Sequence, residues 1–160
     1  MQNLHEKLKQ MYPESVIEAH NNCGDETVVL KRDAFKKIMK LLKTDAAFQF
    51  NVLMDATAVD GLDMQWKPRF EAVYHLYSLA KNHRLRVKVR LEEKDLWMPT
   101  LTGLWPIADW FEREIWDMFG IKFEGHPDLK RILLYESFEG HPLRKDYPIN
   151  KRQPLIGPRN

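Results

Sequence analysis

The spacing of apolar and polar positions changes repeatedly along the chain, and each change predicts an element. Leu4, Leu8 and Met11 recur at helical intervals and predict a short helix that Pro13 ends. Residues 16–20 and 27–30 read as two strands, joined by Asn21-Asn22-Cys23-Gly24-Asp25, which has hairpin chemistry. Asp33 is expected to cap a second helix that buries Phe35, Ile38, Met39 and Leu42 and leaves Lys36, Lys37, Lys40 and Lys43 in water. Phe48, Phe50, Val52 and Met54 then alternate with Gln49, Asn51, Leu53 and Asp55, which predicts a strand. A loop bracketed by Gly61 and Pro68 leads to a second strand over residues 70–79. Lys81-Asn82-His83 turns the chain into a third. There Leu85, Val87, Val89 and Leu91 face one way and Arg84, Arg86, Lys88 and Arg90 the other, the cleanest period-two pattern in the sequence.

A third helix is predicted from about Pro106 to Phe119, with Ile107, Phe111, Ile115, Met118 and Phe119 on its apolar side. Pro106 suits the first turn, Asp109 and Glu112 suit the positive N-terminal end, and Gly120 suits the stop. Arg113 stands four residues from both Asp109 and Asp117, so ion pairs along one helical face are expected. Beyond residue 122 no period survives, and two Gly-His-Pro turns break the chain. The expected fold is α+β: a mostly antiparallel sheet with helices packed on one face, and an extended C-terminal strap. Residues 1–121 are expected to form the α+β domain and 122–160 an extended partner-binding segment, ordered by wrapping another surface.

A chain of 160 residues is one domain by length and buries roughly 70% of its unfolded surface. The five Trp fall at 66, 97, 105, 110 and 116, four of them in the second half, which is expected to meet a partner. The net charge of +2 conceals an asymmetry, because residues 130–160 hold seven Lys and Arg against three Asp and Glu. A basic tail on a near-neutral body points to an acidic docking surface, anionic lipid or nucleic acid. The single cysteine, Cys23, excludes an internal disulfide and a cluster held by four thiolates of this chain. The first residues lack a signal-peptide core. The longest uncharged run, residues 96–108, is thirteen residues with two prolines, too short to span a bilayer.

Cofactor chemistry finds little footing. The seven glycines stand at 24, 61, 103, 120, 125, 140 and 157, so neither glycine-rich nucleotide fingerprint exists. The six histidines lack metal-ligand spacing, although His126 and His141 occupy equivalent turns. Glu112, Glu114 and Asp117 have no nucleophile beside them and are expected to bridge charges rather than catalyse. The basic strand Arg84, Arg86, Lys88 and Arg90 would suit single-stranded nucleic acid, but without an RNA-binding aromatic signature a solvated or partner-facing strand is the simpler expectation.

Several segments carry a resemblance. The run Glu112-Arg113-Glu114-Ile115-Trp116-Asp117-Met118-Phe119-Gly120 resembles the signature of the C subunits of the bacterial proton-translocating NADH–quinone oxidoreductase, respiratory complex I. Both Gly-His-Pro segments fit, as do Arg144-Lys145-Asp146-Tyr147-Pro148, residues 55–60 and residues 70–78. Related subunits of energy-converting hydrogenases belong to the same family. The resemblance implies a cofactor-free structural subunit of the peripheral arm on the cytoplasmic face of the inner membrane, with membrane association only through partners. It implies iron–sulfur clusters, FMN and quinone in partner subunits, and the quinone-site subunit as neighbour. Some relatives are fused to that neighbour, and this chain is expected to meet it as a separate polypeptide. The expected interface comprises Glu112, Arg113, Glu114, Asp117, Arg131, Arg144, Lys145, Asp146 and Tyr147. Ile132, Leu133 and Leu134 would serve as apolar anchors. A hydrogenase subunit is the alternative, and a nucleic-acid module a remote one.

Overall fold

A computed structural model describes residues 3–154. The chain begins with helix α1 (Leu4–Met11), then strands β1 (Val16–Asn22) and β2 (Asp25–Leu30), helix α2 (Arg32–Thr44), and strands β3 (Val52–Asp60), β4 (Phe70–Ser78) and β5 (His83–Leu91). A single 3-10 turn precedes β6 (Trp97–Pro99), helix α3 (Ala108–Phe119) and β7 (Lys122–Glu124). Five strands form one sheet in the order β1-β2-β5-β4-β3. Its ladders are antiparallel except between β2 and β5.

Pairing puts apolar side chains in register on one face. Phe70 lies opposite Leu91, Ala72 opposite Val89, Tyr74 opposite Val87 and Leu76 opposite Leu85. Val28 and Leu30 of β2, and Leu53, Ala56 and Ala58 of β3, extend that face. All three helices close over it: Leu4 and Leu8 from α1, Phe35, Ile38, Met39 and Leu42 from α2, and Ala108, Ile115, Met118 and Phe119 from α3. The Phe35 and Tyr74 rings meet with centroids 4.9 Å apart. Each fully buried side chain of this size contributes about 1.5–3 kcal/mol.

Several expectations shift. Lys31, not Asp33, is the N-cap of α2, and Asp33 sits in its first turn, where its charge favours the positive helix end. The strand expected over residues 48–54 begins only at Val52. Phe48 and Phe50 reach the core from the turn before it. A register shift between Leu53 and Asp55 reverses the alternation, so Leu53 is buried and Met54 exposed. Ile107 is exposed rather than inward, and Phe111 is only partly buried. The first hairpin closes tightly through Cys23 and Gly24, at φ +57° and +86°, which matches a two-residue turn with both central residues left-handed.

The boundary expected at residue 121 falls inside structure. β7 pairs in parallel with β6, Trp97 opposite Lys122 and Pro99 opposite Glu124. Ile121 and Phe123 belong to the core. From residue 125 to 154 the chain has no helix or strand, as expected, yet Leu129 and Leu134 pack against the core. Residues 155–160 of the expected segment lie outside the described residues.

Candidate interaction surface

The strap is fastened to α3 through Asp117. Near the last turn, on the side of the helix that the strap covers, this carboxylate is fully buried. Its Oδ2 accepts three successive backbone N–H groups, Ile132 at 3.1 Å, Leu133 at 2.9 Å and Leu134 at 3.0 Å. Its Oδ1 accepts Arg131 Nη1 at 2.6 Å. Burial alone would raise the carboxyl. The Leu134 amide, the Arg131 guanidinium and the other two amides outweigh it and hold the group below the usual carboxylate range. Arg131 also donates to the carbonyls of Phe138 at 2.7 Å and Gly140 at 3.1 Å, and its guanidinium lies over the Trp116 and Phe138 rings. Arg113 reaches the carbonyls of Lys130 and Arg131 at 3.2 and 3.1 Å.

The strap then caps the helix it is tied to. The last carbonyls of a helix have no internal donors. Here His141 Nδ1 hydrogen-bonds Asp117 O at 3.0 Å and the Leu143 amide donates to Met118 O at 3.1 Å. Gly120 makes this approach possible: its φ is +81°, and a Cβ there would stand 2.7 Å from the His141 ring. At the other end of the helix His126 meets Asp109 at 3.1 Å. The two Gly-His-Pro histidines therefore serve separate ends of α3.

A second buried aspartate receives the end of the strap. Asp60 closes β3 and accepts Arg69 Nε at 2.8 Å, Arg69 Nη2 at 2.6 Å, the Leu62 amide at 3.0 Å and the Lys145 amide at 2.8 Å. Burial opposes ionisation, but the Arg69 guanidinium and the two amides win and hold the carboxyl at about 2. Arg69 extends to Glu93 at 2.8 Å and to Asp146 at 3.0 Å, and Arg144 pairs with the same Glu93 and, at 3.4 Å, with Asp146. Both guanidinium groups stand over the Phe70 ring.

Glu112 is buried in the core, on the inward side of α3. It accepts the Thr100 hydroxyl at 2.6 Å and the Leu101 amide at 2.7 Å, which ties the segment before the helix to its first turns. Burial pushes its carboxyl up to about 7 in spite of these two bonds.

The expected interface residues thus divide. Glu112 and Asp117 are buried and engaged within the chain, Glu112 because α3 turns it toward the core and Asp117 because the strap covers the side of the helix it stands on. Arg113, Arg131, Arg144 and Asp146 bond to this chain's own carbonyls and charges, and Tyr147 stacks on Phe138 with centroids 6.1 Å apart. The expected pairs of Arg113 with Asp109 and Asp117 are replaced by His126 and Arg131. Glu114 and Lys145 are exposed. Ile132 and Leu134 are partly buried, whereas Leu133 is exposed. Sequence reasoning missed Asp60, Arg69, Glu93 and Thr100 as anchors. The one available signal was Asp60, a carboxylate at the inward end of an apolar alternation.

Beside the strap, Trp97, Trp116, Phe123 and Leu129 line an apolar hollow of about 550 Å³. Trp110, Leu133 and Leu143 are each more than half exposed. Three of the four basic residues of β5 pair with carboxylates: Arg86 with Asp25, Lys88 with Glu71, and Arg90 with Glu18 and Glu71, while Arg84 lies over the Tyr77 ring. Among the described residues no group of three or more His, Cys, Asp or Glu could hold a metal ion. No described helix is long and apolar enough to cross a membrane.

Known proteins are similar to this chain in sequence and in fold. The NADH-quinone oxidoreductase C subunit of Citrifermentans bemidjiense is 43% identical over 153 residues, covering 94% of this chain and 92% of its own. The solved trypsin-resistant fragment (1-134) of Nqo5 superposes with a TM-score of 0.70 at 38% identity, over 79% of this chain and 98% of that one. A chain of the membrane-bound sulfane sulfur reductase, an archaeal respiratory membrane complex, shares the fold with a TM-score of 0.74 at 24% identity, over 91% of this chain and 84% of that one. The family profile described as "Respiratory-chain NADH dehydrogenase, 30 Kd subunit" matches residues 28–153. The chain belongs to that respiratory-chain NADH dehydrogenase 30 Kd subunit family, as a relative of the bacterial NADH-quinone oxidoreductase C subunits.

Proposed function

We propose that this chain acts as a cofactor-free positioning subunit in the peripheral arm of a proton-translocating NADH–quinone oxidoreductase. It holds neighbouring subunits in fixed relation while electrons pass from NADH through their FMN and iron–sulfur centres to quinone. Its contribution is geometric, since a displacement of about 1 Å at a donor–acceptor arrangement is costly for positioned chemistry. It sits on the cytoplasmic face of the inner membrane through its partners, and the quinone-site subunit is the neighbour. One observation carries this reading: the strap is already fixed on α3 by Asp117, which turns α3 and residues 130–148 into one preformed surface. On that surface the Trp97–Trp116 hollow, Trp110, Leu133 and Leu143 supply apolar anchors, with Glu114 and Lys145 as charged groups at its rim. A preformed surface loses less ordering entropy on association than a disordered tail. The pairing of Arg86, Lys88 and Arg90 with carboxylates favours this over a nucleic-acid module.

Gentle detergent extraction and pull-down of the tagged chain tests it. Iron–sulfur subunits and a quinone-site subunit should co-purify, and the isolated full chain should be colourless. A nickel-containing partner would favour the hydrogenase-type assembly, and a flavin, haem or cluster bound stoichiometrically to the lone chain would overturn the reading.

A further inference from the structure

Glu112 is buried with no cation in contact among the described residues, yet it does not stand alone. Its Oε2 accepts Thr100 Oγ1–H at 2.6 Å, and Thr100 Oγ1 lies 3.0 Å from Thr102 Oγ1, where either hydroxyl can be the donor. Exposure rises along this row: Glu112 is fully buried, Thr100 is 5% exposed, Thr102 is half-buried, and the next residue, Gly103, is exposed. The row therefore runs from the core to the surface through two hydroxyl groups, each both donor and acceptor.

We propose that Glu112 is a proton-binding site that exchanges with solvent through the Thr100 and Thr102 hydroxyls. With the carboxylate ionised, Thr100 donates to Glu112 Oε2 while its oxygen accepts the Thr102 amide at 3.2 Å and the Thr102 hydroxyl. A solvent acid then gives a proton to Thr102 Oγ1 as Thr102 passes its own to Thr100 and Thr100 passes its own to Glu112. One O–H bond forms and one breaks at each hydroxyl, and the net change is one proton moved from solvent to Oε2. Afterwards Glu112 donates to Thr100 and Thr100 donates to Thr102. Glu112 Oε1 keeps the Leu101 amide at 2.7 Å in both states. None of the three groups in the row is left unpaired in either charge state, so the change needs no opening of the core.

The surrounding groups bias the site without filling it. From β4 the Tyr74 hydroxyl, wholly buried and without a hydrogen-bond partner, is pushed well above its ordinary range first by burial and then by the charge of Glu112. From α3 itself Asp109 adds a like charge, and from α2 Lys36 opposes it from the surface. Burial is the largest influence, and it brings the Glu112 carboxyl to about 7, where both charge states are populated near neutral pH.

The test is a carboxyl-carbon NMR titration of the full chain labelled at glutamate. The Glu112 resonance, identified by its loss in Glu112→Gln, should titrate between about pH 5.5 and 8.5. Thr102→Val should leave the midpoint nearly unchanged but slow proton exchange, read from the line width at the midpoint, by about tenfold, and Thr102→Ser should restore it. If Glu112→Gln does not fold, selective labelling and the Thr102 pair carry the test. A resonance that stays flat across this range would sink the proton site. An exchange rate indifferent to Thr102→Val would sink the relay.

Discussion

Asp117 and Arg131 are 2.6 Å apart, on a helix and on a stretch without regular structure fourteen residues later. The aspartate side chain is fully buried and the arginine is 13% exposed, so each helps compensate the other for leaving water, beside the Leu134 amide and its two neighbours on the aspartate and the Phe138 and Gly140 carbonyls on the arginine. This pair, with the packing of Leu129 and Leu134 against the core, makes the strap part of the body.

Truncating Asp117 to Ala should therefore do more than cut one bond. It strands the Arg131 charge and three backbone amides at once. Breaking one side of a buried pair costs about 3–5 kcal/mol. Denaturant unfolding of the full chain measures it, and a loss below about 1 kcal/mol would mean that water replaces the carboxylate freely.

At Asp60 the folded-state carboxyl sits at about 2 and its ordinary value is 3.8. A depressed folded value means that its stabilisation is present above pH 3.8 and is lost as pH falls toward 2. The difference amounts to about 2 kcal/mol. Asp60→Asn should flatten the stability profile in that acid window, and should expose the Lys145 amide to hydrogen exchange. An unchanged acid limb would refute the assignment.

Glu112 works in the opposite sense. Its folded value is raised to about 7 from 4.5. Its favourable contribution is complete below pH 4.5 and is lost as pH rises through 7, because the unfolded chain surrenders the proton first. The loss is about 3 kcal/mol. Glu112→Gln keeps an uncharged group of the same shape, so its stability should hardly change across this window, while that of the parent declines. Parallel profiles for the two proteins would rule this out.

Glu114 is the exposed carboxylate of the α3 motif. Charge reversal, Glu114→Lys, should leave the melting temperature of the isolated chain within a degree or two, as surface changes shift stability by less than about 0.5 kcal/mol. Recovery of partner subunits in the pull-down should drop. Equal loss of both would show that Glu114 supports the fold instead.

Replacing Gly120 with Ala should place a methyl against the His141 ring and force a side chain into a left-handed conformation. Strain of this kind costs about 1–3 kcal/mol. Hydrogen exchange at the Leu143 amide should accelerate, since its bond to Met118 depends on that approach. Protection equal to the parent would show that the strap holds without it.

The local elements were legible because local rules govern them. The alternation from Leu85 to Leu91 set the β5 register, and the spacing from Ile38 to Leu42 set the buried side of α2. The β3 phase was not legible, because an irregularity at Leu53 to Asp55 reverses which residues face inward, and periodicity averages over such a shift. In the α3 motif the residue types were plain, but their directions were not. Acidic residues on a helix are read as solvated, and Glu112 and Asp117 became buried because Thr100, Leu101 and residues 131–134 bring donors to them.

What the sequence settled by itself was the α+β class, the absence of glycine-rich nucleotide loops, and the family, each written in runs of adjacent residues. Tertiary structure decided that the strap closes on its own helix. Asp117 and Arg131 are fourteen positions apart, Asp60 and the Lys145 amide eighty-five, and a buried carboxylate acquires such donors only when the backbone carries both to the same place.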